Sequence, residues 1–374
     1  MGRRHTVLLQ SSGRALGLGA NKHGQCNIPE IPSNLDYVQV ATGTAHSVLL
    51  RSDGRVVACG DNRSGQCDVP PLEDGLEYVQ VSAGGNHTLL LRSDGKAFMI
   101  GDIWPFRDFP EPEGDEKIVQ VETGLFHSVV LTSNGNSYAR ADNEAHELTV
   151  PQLESNRRYT SVSAGDFHIV WLRDDGQVVA AGDNRYGQCS IPFLEQGFEY
   201  TQVSAGGLHT VLLRNDGNAL CVGNNRCGQC DIPTLPAGLR YEDISAGAVH
   251  TVLLRSDSQV LAFGSDDWGQ CRVPELQAGE VYVPSRVHLA DPPMVMQLVP
   301  SDSECQHWQC LSLAGRAVLS FTLSEVCFEE FWSNLTEQLR LPKQKLQVVL
   351  PNGELLCHGR HSWKSLTMQR ALGA

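Results

Sequence analysis

Residues 200–233 read YTQVSAGGLHTVLLRNDGNALCVGNNRCGQCDIP, and most of the first three quarters of the chain consists of copies of this stretch. Its histidine is the ruler: His5, His46, His87, His127, His168, His209 and His250 are separated by 41, 41, 40, 41, 41 and 41 residues. The six full copies also keep Tyr37, Tyr78, Ile118, Tyr159, Tyr200 and Tyr241 nine positions before the histidine. So regular a period means one supersecondary unit made seven times, each unable to bury its apolar face alone and therefore stacked on its neighbours.

Within the unit the spacing predicts four short strands. The first is YTQVSAG-like, and the second, HTVLLR, has the β-branched and leucine run of a strand covered on both faces. A Ser-Asp-Gly or Asn-Asp-Gly turn follows, as at Ser52-Asp53-Gly54 and Asn215-Asp216-Gly217; its glycine supplies positive φ for a hairpin. A VVACG-like third strand and a GQCDIP-like fourth complete the unit, and proline ends it. No helical periodicity is present, which excludes helical solenoids of similar repeat length. Seven such units read as an all-β, seven-bladed β-propeller over residues 1–287. The first copy starts at His5 without its tyrosine strand, while Tyr282 stands eleven residues after Cys271, as Tyr78 does after Cys67. Residues 280–287 are therefore expected to complete the blade begun by residues 5–27, removing the open sheet edges.

At these residues the signature SAGxxHTxxLxxDGxVxxxGxNxxGQ resembles the regulator of chromosome condensation (RCC-type) repeat. The resemblance covers residues 1 to about 287 and implies the propeller fold. It also implies what such propellers do elsewhere: guanine-nucleotide exchange on a small GTPase through one propeller face, chromatin binding, or substrate recruitment in HECT-type E3 ubiquitin ligases, whose propellers this one resembles. Ultraviolet-B photoreceptors of this family carry GWRHT-like motifs. Here Gly85-Asn86-His87-Thr88 and Gly207-Leu208-His209-Thr210 lack the tryptophan, so photoreception is not expected.

The 374 residues carry 29 Lys+Arg against 43 Asp+Glu, a net charge of −14. That argues against a nucleic-acid partner and favours a basic protein face. Of the twelve cysteines, Cys26, Cys67, Cys189, Cys230 and Cys271 hold one slot in different blades. Neighbouring blades lie too far apart to link them, so they read as small apolar fillers in a reducing compartment, cytoplasmic or nuclear, with no signal-peptide pattern. Met1-Gly2-Arg3-Arg4-His5-Thr6 formally fits a myristoylation pattern but is also the start of the first repeat. No run is long enough to cross a membrane, and a monomer is expected.

The seven histidines invite a metal site, but blades space them too widely for ligands at roughly 2 Å. They are expected to be structural, satisfying backbone groups where one strand passes into the next. Cys227-Gly228-Gln229-Cys230 is a CxxC, yet Cys230 is the repeat cysteine and no second CxxC accompanies it, so a structural origin is expected. No nucleophile elbow, phosphate loop or metal-ligand set is found, and neither catalytic residues nor a cofactor are expected.

The informative positions are departures from the repeat. Blade three replaces the polar GDNRxGQC loop with Gly101-Asp102-Ile103-Trp104-Pro105-Phe106-Arg107, and blade seven has Asp266-Asp267-Trp268. Elsewhere the loop carries a base: Lys22, Arg63, Arg185 and Arg226. If these loops share one rim, Trp104, Phe106, Arg107, Trp268, Arg63, Arg185 and Arg226 form a partner-binding surface, because aromatics and arginine anchor protein interfaces. The other reading is drift in a degenerate repeat, with Trp104 and Phe106 filling the blade.

After Pro292-Pro293 the repeat stops. Residues 288–307 read as a linker. Residues 309–313 and 316–323 read as a hairpin, Phe328, Phe331, Trp332, Leu335 and Leu339 as an amphipathic helix, and 345–350 as a strand turned by Pro351-Asn352-Gly353. This order resembles a small α+β, ubiquitin-like β-grasp domain over 308–374, without a Gly-Gly tail. The whole reads as a non-enzymatic protein-protein interaction scaffold. The alternatives are the substrate-recruiting part of a HECT-type E3 ligase, with ubiquitin machinery as partner, or an exchange factor for a small GTPase.

Overall fold

The computed structural model describes residues 2–102, 109, 114, 116–141, 149–276 and 279–284, and five strands in the C-terminal quarter. The chain divides into two compact units, Met1–Leu289 and Ala290–Ala374.

The first unit is seven three-stranded antiparallel sheets, the blades of a seven-bladed propeller. Blade two is Tyr37–Thr42, His46–Arg51 and Val56–Gly60. Blade three is Tyr78–Ala83, His87–Arg92 and Ala97–Gly101, and blade four Ile118–Thr123, His127–Thr132 and Ser137–Ala141. Blade five is Tyr159–Ala164, His168–Arg173 and Val178–Gly182, and blade six Tyr200–Ala205, His209–Arg214 and Ala219–Gly223. Blade seven is Tyr241–Ala246, His250–Arg255 and Val260–Gly264. Blade one joins the two ends of the unit: His5–Gln10 pairs with Ala15–Gly19 on one side and with Tyr282–Val283 on the other, Leu9 opposite Val283 and Gln10 opposite Tyr282.

Burial follows the sequence pattern. The histidine-led middle strand is covered on both faces, with Val48, Leu49, Leu89, Leu90, Leu91, Val211 and Leu212 fully buried. Its apolar residues pack between blades; Val48 and Leu50 of blade two, for example, meet Tyr78, Val81 and Leu90 of blade three. First strands run side by side through paired glutamine bonds. Gln39 donates to Val81 O (3.2 Å) while Val81 N donates to Gln39 Oε1 (2.9 Å), and Gln80 with Val121 and Gln120 with Val162 repeat the device. First strands are thus the innermost, around the propeller axis.

The expected fourth strand is not formed in any blade among the described residues. The segment 65–70 shows why. Cys67 N donates to Asn62 Oδ1 (2.8 Å), Asp68 N to Gly65 O (3.1 Å) and Val69 N to Cys67 O (2.9 Å). The backbone donors of Gly65, Cys67, Asp68 and Val69 are thus spent within the loop, and Pro70 has none, so a ladder cannot run along the segment. The tyrosine then pins the loop to the blade, as Tyr78 Oη donates to Pro70 O at 3.0 Å.

The second unit holds one five-stranded sheet. Met294–Pro300 is flanked by antiparallel His307–Ser312 and parallel Leu346–Val349; Ala317–Thr322 and Leu355–Cys357 form its edges. Met294–Pro300 lies in the stretch read from sequence as a linker, because its isolated run MVMQLVP lacks both a hairpin turn and the repeat pattern. The expected helix over 328–339 lies outside the described residues.

Candidate functional site

The repeat histidines build the scaffold on which any site stands. All seven side chains are buried, and in six of them Nε2 meets the hydroxyl of the next blade's middle strand: His5 with Ser47 (2.9 Å), His46 with Thr88 (2.9 Å), His87 with Ser128 (2.9 Å), His168 with Thr210 (2.8 Å), His209 with Thr251 (3.0 Å) and His250 with Thr6 (2.9 Å). The partners are thus hydroxyls across the blade boundary rather than backbone groups at a strand junction. Four of these hydroxyls in turn donate to a glutamine carbonyl, Ser47 to Gln25 O (2.7 Å), Thr88 to Gln66 O (2.8 Å), Thr210 to Gln188 O (2.8 Å) and Thr251 to Gln229 O (2.7 Å). With the hydroxyl proton committed there, Nε2–H must be the donor and Nδ1 the unprotonated nitrogen. Nδ1 of His46 sits against Gly43, where any Cβ would lie 2.3 Å from the imidazole Cε1. Burial holds these imidazoles neutral, pushing His5, His209 and His250 down to about 3 and His46 and His168 to about 4. Among the described residues, no three His, Cys, Asp or Glu side chains come together to hold a metal ion.

The loops that leave the third strands share one rim with the turns joining first and second strands. Asp61 N donates to Ala45 O at 2.9 Å, and Gly60 permits this closeness, since a Cβ there would lie 2.5 Å from the same carbonyl at φ +114. Arg63, Arg185, Arg226 and Trp268 all stand on this rim, in equivalent loops. Their surroundings differ. Arg63 and Arg185 are folded back onto Asp61 (2.6 Å) and Asp183 (2.9 Å), and the Arg63 guanidinium holds the Asp61 carboxyl down at about 2. Blade six has Asn224 in place of that aspartate, and Arg226 instead lies over the Tyr186 ring of blade five at 5.4 Å. Trp268 is faced by two cations, Lys22 at 5.0 Å and Arg4 at 5.3 Å, both from blade one. Such contacts orient the rings while leaving them accessible; Trp268 and Tyr186 remain 38% and 39% exposed.

Three rim aromatics escape a reading based on the basic position alone. Tyr186 occupies the slot of Trp268, immediately before the loop glycine, where other blades have His23, Ser64 and Cys227. Phe126 and Phe167 hold the slot before the repeat histidine and pack with ring centroids 6.2 Å apart, Phe126 being 39% exposed. Comparing that variable slot between repeats would have found them. Trp104, Phe106 and Arg107 lie outside the described residues.

Cysteine departs from the expectation of isolated fillers. Cys230 is disulfide-bonded to Cys221 of its own blade, with Cα atoms 5.2 Å apart. The spacing between blades does not bear on this pair, because Cys221 stands on the third strand of the same blade.

The family model for the regulator of chromosome condensation (RCC1) repeat matches residues 37–66, 78–102, 159–188 and 200–229. The chain therefore carries RCC1 repeats on an RCC1-like propeller. Among solved structures, Prp20p from Saccharomyces cerevisiae is 16% identical, covers 78% of this chain and 88% of its own, and superposes with a TM-score of 0.59. Human WBSCR16 is 18% identical over 68% of this chain and 85% of its own (TM-score 0.57). The CRINKLY WD40 ectodomain of the Arabidopsis thaliana receptor kinase ACR4 is 19% identical over 69% and 89% (TM-score 0.54). These likenesses show the fold. No curated protein matches the chain.

Proposed function

We propose that this chain is a non-enzymatic protein-binding propeller whose partner docks on the rim of arginines and aromatic rings. The observation that carries this reading is the pairing of exposed rings with cations across blade boundaries: Trp268 under Lys22 and Arg4, and Tyr186 under Arg226. A drifting loop has no reason to hold large rings half-exposed with charged neighbours over their faces, whereas interface anchors are of this kind. Prp20p, which shares the fold, has been described with its binding to Gsp1p and histones, and this favours a protein partner here too.

The partner class divides into two finer readings. Exchange on a small GTPase draws support from the Prp20p likeness and its Gsp1p binding. Substrate recruitment for a HECT-type ubiquitin ligase draws support from the second unit. Its first strand, with an antiparallel neighbour on one side and a parallel one on the other, suits a ubiquitin-like β-grasp. A monomer in the cytoplasm or nucleus accords with both.

The test compares partners captured by the full-length chain and by a Tyr186→Ala/Arg226→Ala/Trp268→Ala variant whose circular dichroism matches wild type. Loss of about 30-fold or more in affinity for a partner is expected, since truncated anchors cost about 2 kcal/mol or more. Retention of every partner by the variant would refute the rim. Accelerated nucleotide release from a captured GTPase, or co-purification of ubiquitin-transfer enzymes, separates the finer readings.

A further inference from the structure

We propose that blade six contains a thiol–disulfide exchange site in which the exposed thiol of Cys227 attacks Cys230 within the Cys221–Cys230 disulfide.

The repeat itself prepares the pairing. Cys221 stands opposite Val211 on the middle strand, the register occupied by Ala58, Ala180 and Ala262 opposite Val48, Val170 and Val252, and by Gly17 opposite Val7. In blade one a Cβ placed on Gly17 would lie 2.8 Å from Cys26 Cβ, so this register is pressed against the loop cysteine by the backbone alone. Blade six has cysteine at both positions, and their Cα separation of 5.2 Å lies within the ordinary disulfide range.

The other loop thiols are placed for inertness. Cys26, Cys67, Cys189 and Cys271 each donate to a backbone carbonyl 3.2–3.4 Å away, of Ala20, Asp61, Asp183 and Ser265 respectively. Burial pushes all four thiols up to about 11, which keeps them protonated. Blade six also differs in carrying a third cysteine. Cys227 is exposed and lies three residues before Cys230. Gly228, at φ +78, closes one turn through its N–H to Asn225 O (3.2 Å) and opens the next by accepting from Asp231 N (3.1 Å), so two successive turns span the CxxC.

The step balances without an external oxidant. The Cys227 thiolate attacks Cys230 Sγ, the Cys227–Cys230 bond forms as the Cys221–Cys230 bond breaks, and the electron pair leaves on Cys221 sulfur. That sulfur takes up the proton Cys227 gave to solvent. The exposed free thiol of Cys227 is thereby exchanged for a half-buried one at Cys221. Because Cys227 follows Arg226, drawing it onto Cys230 moves the cation that covers Tyr186, so the arrangement of the rim depends on which pair is bonded.

The test uses full-length protein, oxidised glutathione, alkylation of free thiols and mapping of disulfide-linked peptides. Wild type is expected to show both linkages after incubation near pH 8, with Cys221 becoming alkylated as Cys227 is protected. Cys221→Ala, which installs the residue of the other blades and should leave the fold intact, is expected to convert wholly to Cys227–Cys230. Cys227→Ser should retain only Cys221–Cys230. The proposal is overturned if wild type never forms Cys221–Cys230. It also fails if Cys221→Ala, folded by circular dichroism, leaves Cys227 as a glutathione adduct or a free thiol.

Discussion

His250 Nε2 lies 2.9 Å from Thr6 Oγ1, a hydrogen bond between residues 244 positions apart, and it is the same bond that joins His46 to Thr88. Blade seven therefore meets blade one through the contact used between interior blades. The propeller closes without a special joint, and the two-residue strand Tyr282–Val283 seals the sheet at the same boundary.

Removing the acceptor of that bond leaves a buried imidazole N–H without a partner. Thr6→Val is expected to destabilise the propeller by about 1–3 kcal/mol, read as a shift in the denaturation midpoint. In the Thr6→Val background, His250→Ala should cost less than it does in wild type. Equal costs in the two backgrounds would show that the pair is not energetically coupled.

The neutral histidines make the fold acid-sensitive. An imidazole held at about 3 or about 4 in the folded state titrates near 6.5 when unfolded. Between these values the unfolded chain binds more protons, so this contribution is complete above about pH 6.5 and is lost progressively as pH falls toward the folded value. At about pH 5.5 each such histidine should have cost about 1 kcal/mol relative to neutrality. Thermal denaturation from pH 7.5 down to 5 should show the midpoint falling steeply. A flat profile would mean the imidazoles are not buried neutral.

Two carboxyls on the innermost strands act in the opposite direction. Burial raises Glu122 to about 7 and Asp243 to about 6, with Gln120 and Gln202 donating to them at 3.4 and 2.6 Å. By accessible surface both are half-buried, and the protein packed around their carboxyls desolvates the charged forms. Folding favours their protonated forms, so a cost appears as pH rises from the unfolded carboxyl values through the folded ones. Glu122→Gln and Asp243→Asn are each expected to stabilise the protein by about 1–2 kcal/mol at pH 8, discounted for their partial exposure, and by little near pH 4. Destabilisation at pH 8 would show that the charged forms are held by the fold.

Most of the propeller was legible in the primary structure, for a physical reason: in a repeat protein each local error would recur seven times, so the shared pattern must be self-consistent. The histidine spacing, the Asp-Gly turns and the buried middle strands all follow from short-range rules. The absent fourth strand did not, because GQCDIP has the composition of a strand, and only the hydrogen bond from Cys67 N to Asn62 Oδ1 reveals that its donors are spent locally. On the rim, Trp268 and Arg226 were visible as exceptions to the repeat. That Arg226 covers Tyr186, while Arg63 is tied to Asp61, was not.

The amino-acid sequence alone therefore determined the period, the blade number and the polarity of each strand, which depend on residues close together in the chain. Only the tertiary structure decided which side chains meet across blade boundaries: His250 with Thr6, Lys22 with Trp268, Arg226 with Tyr186. It also decided that Cys221 and Cys230 meet within blade six. Three of these contacts join residues about 40 to 250 positions apart, and all depend on how strands and loops pack once the ring has closed, which no local pattern encodes.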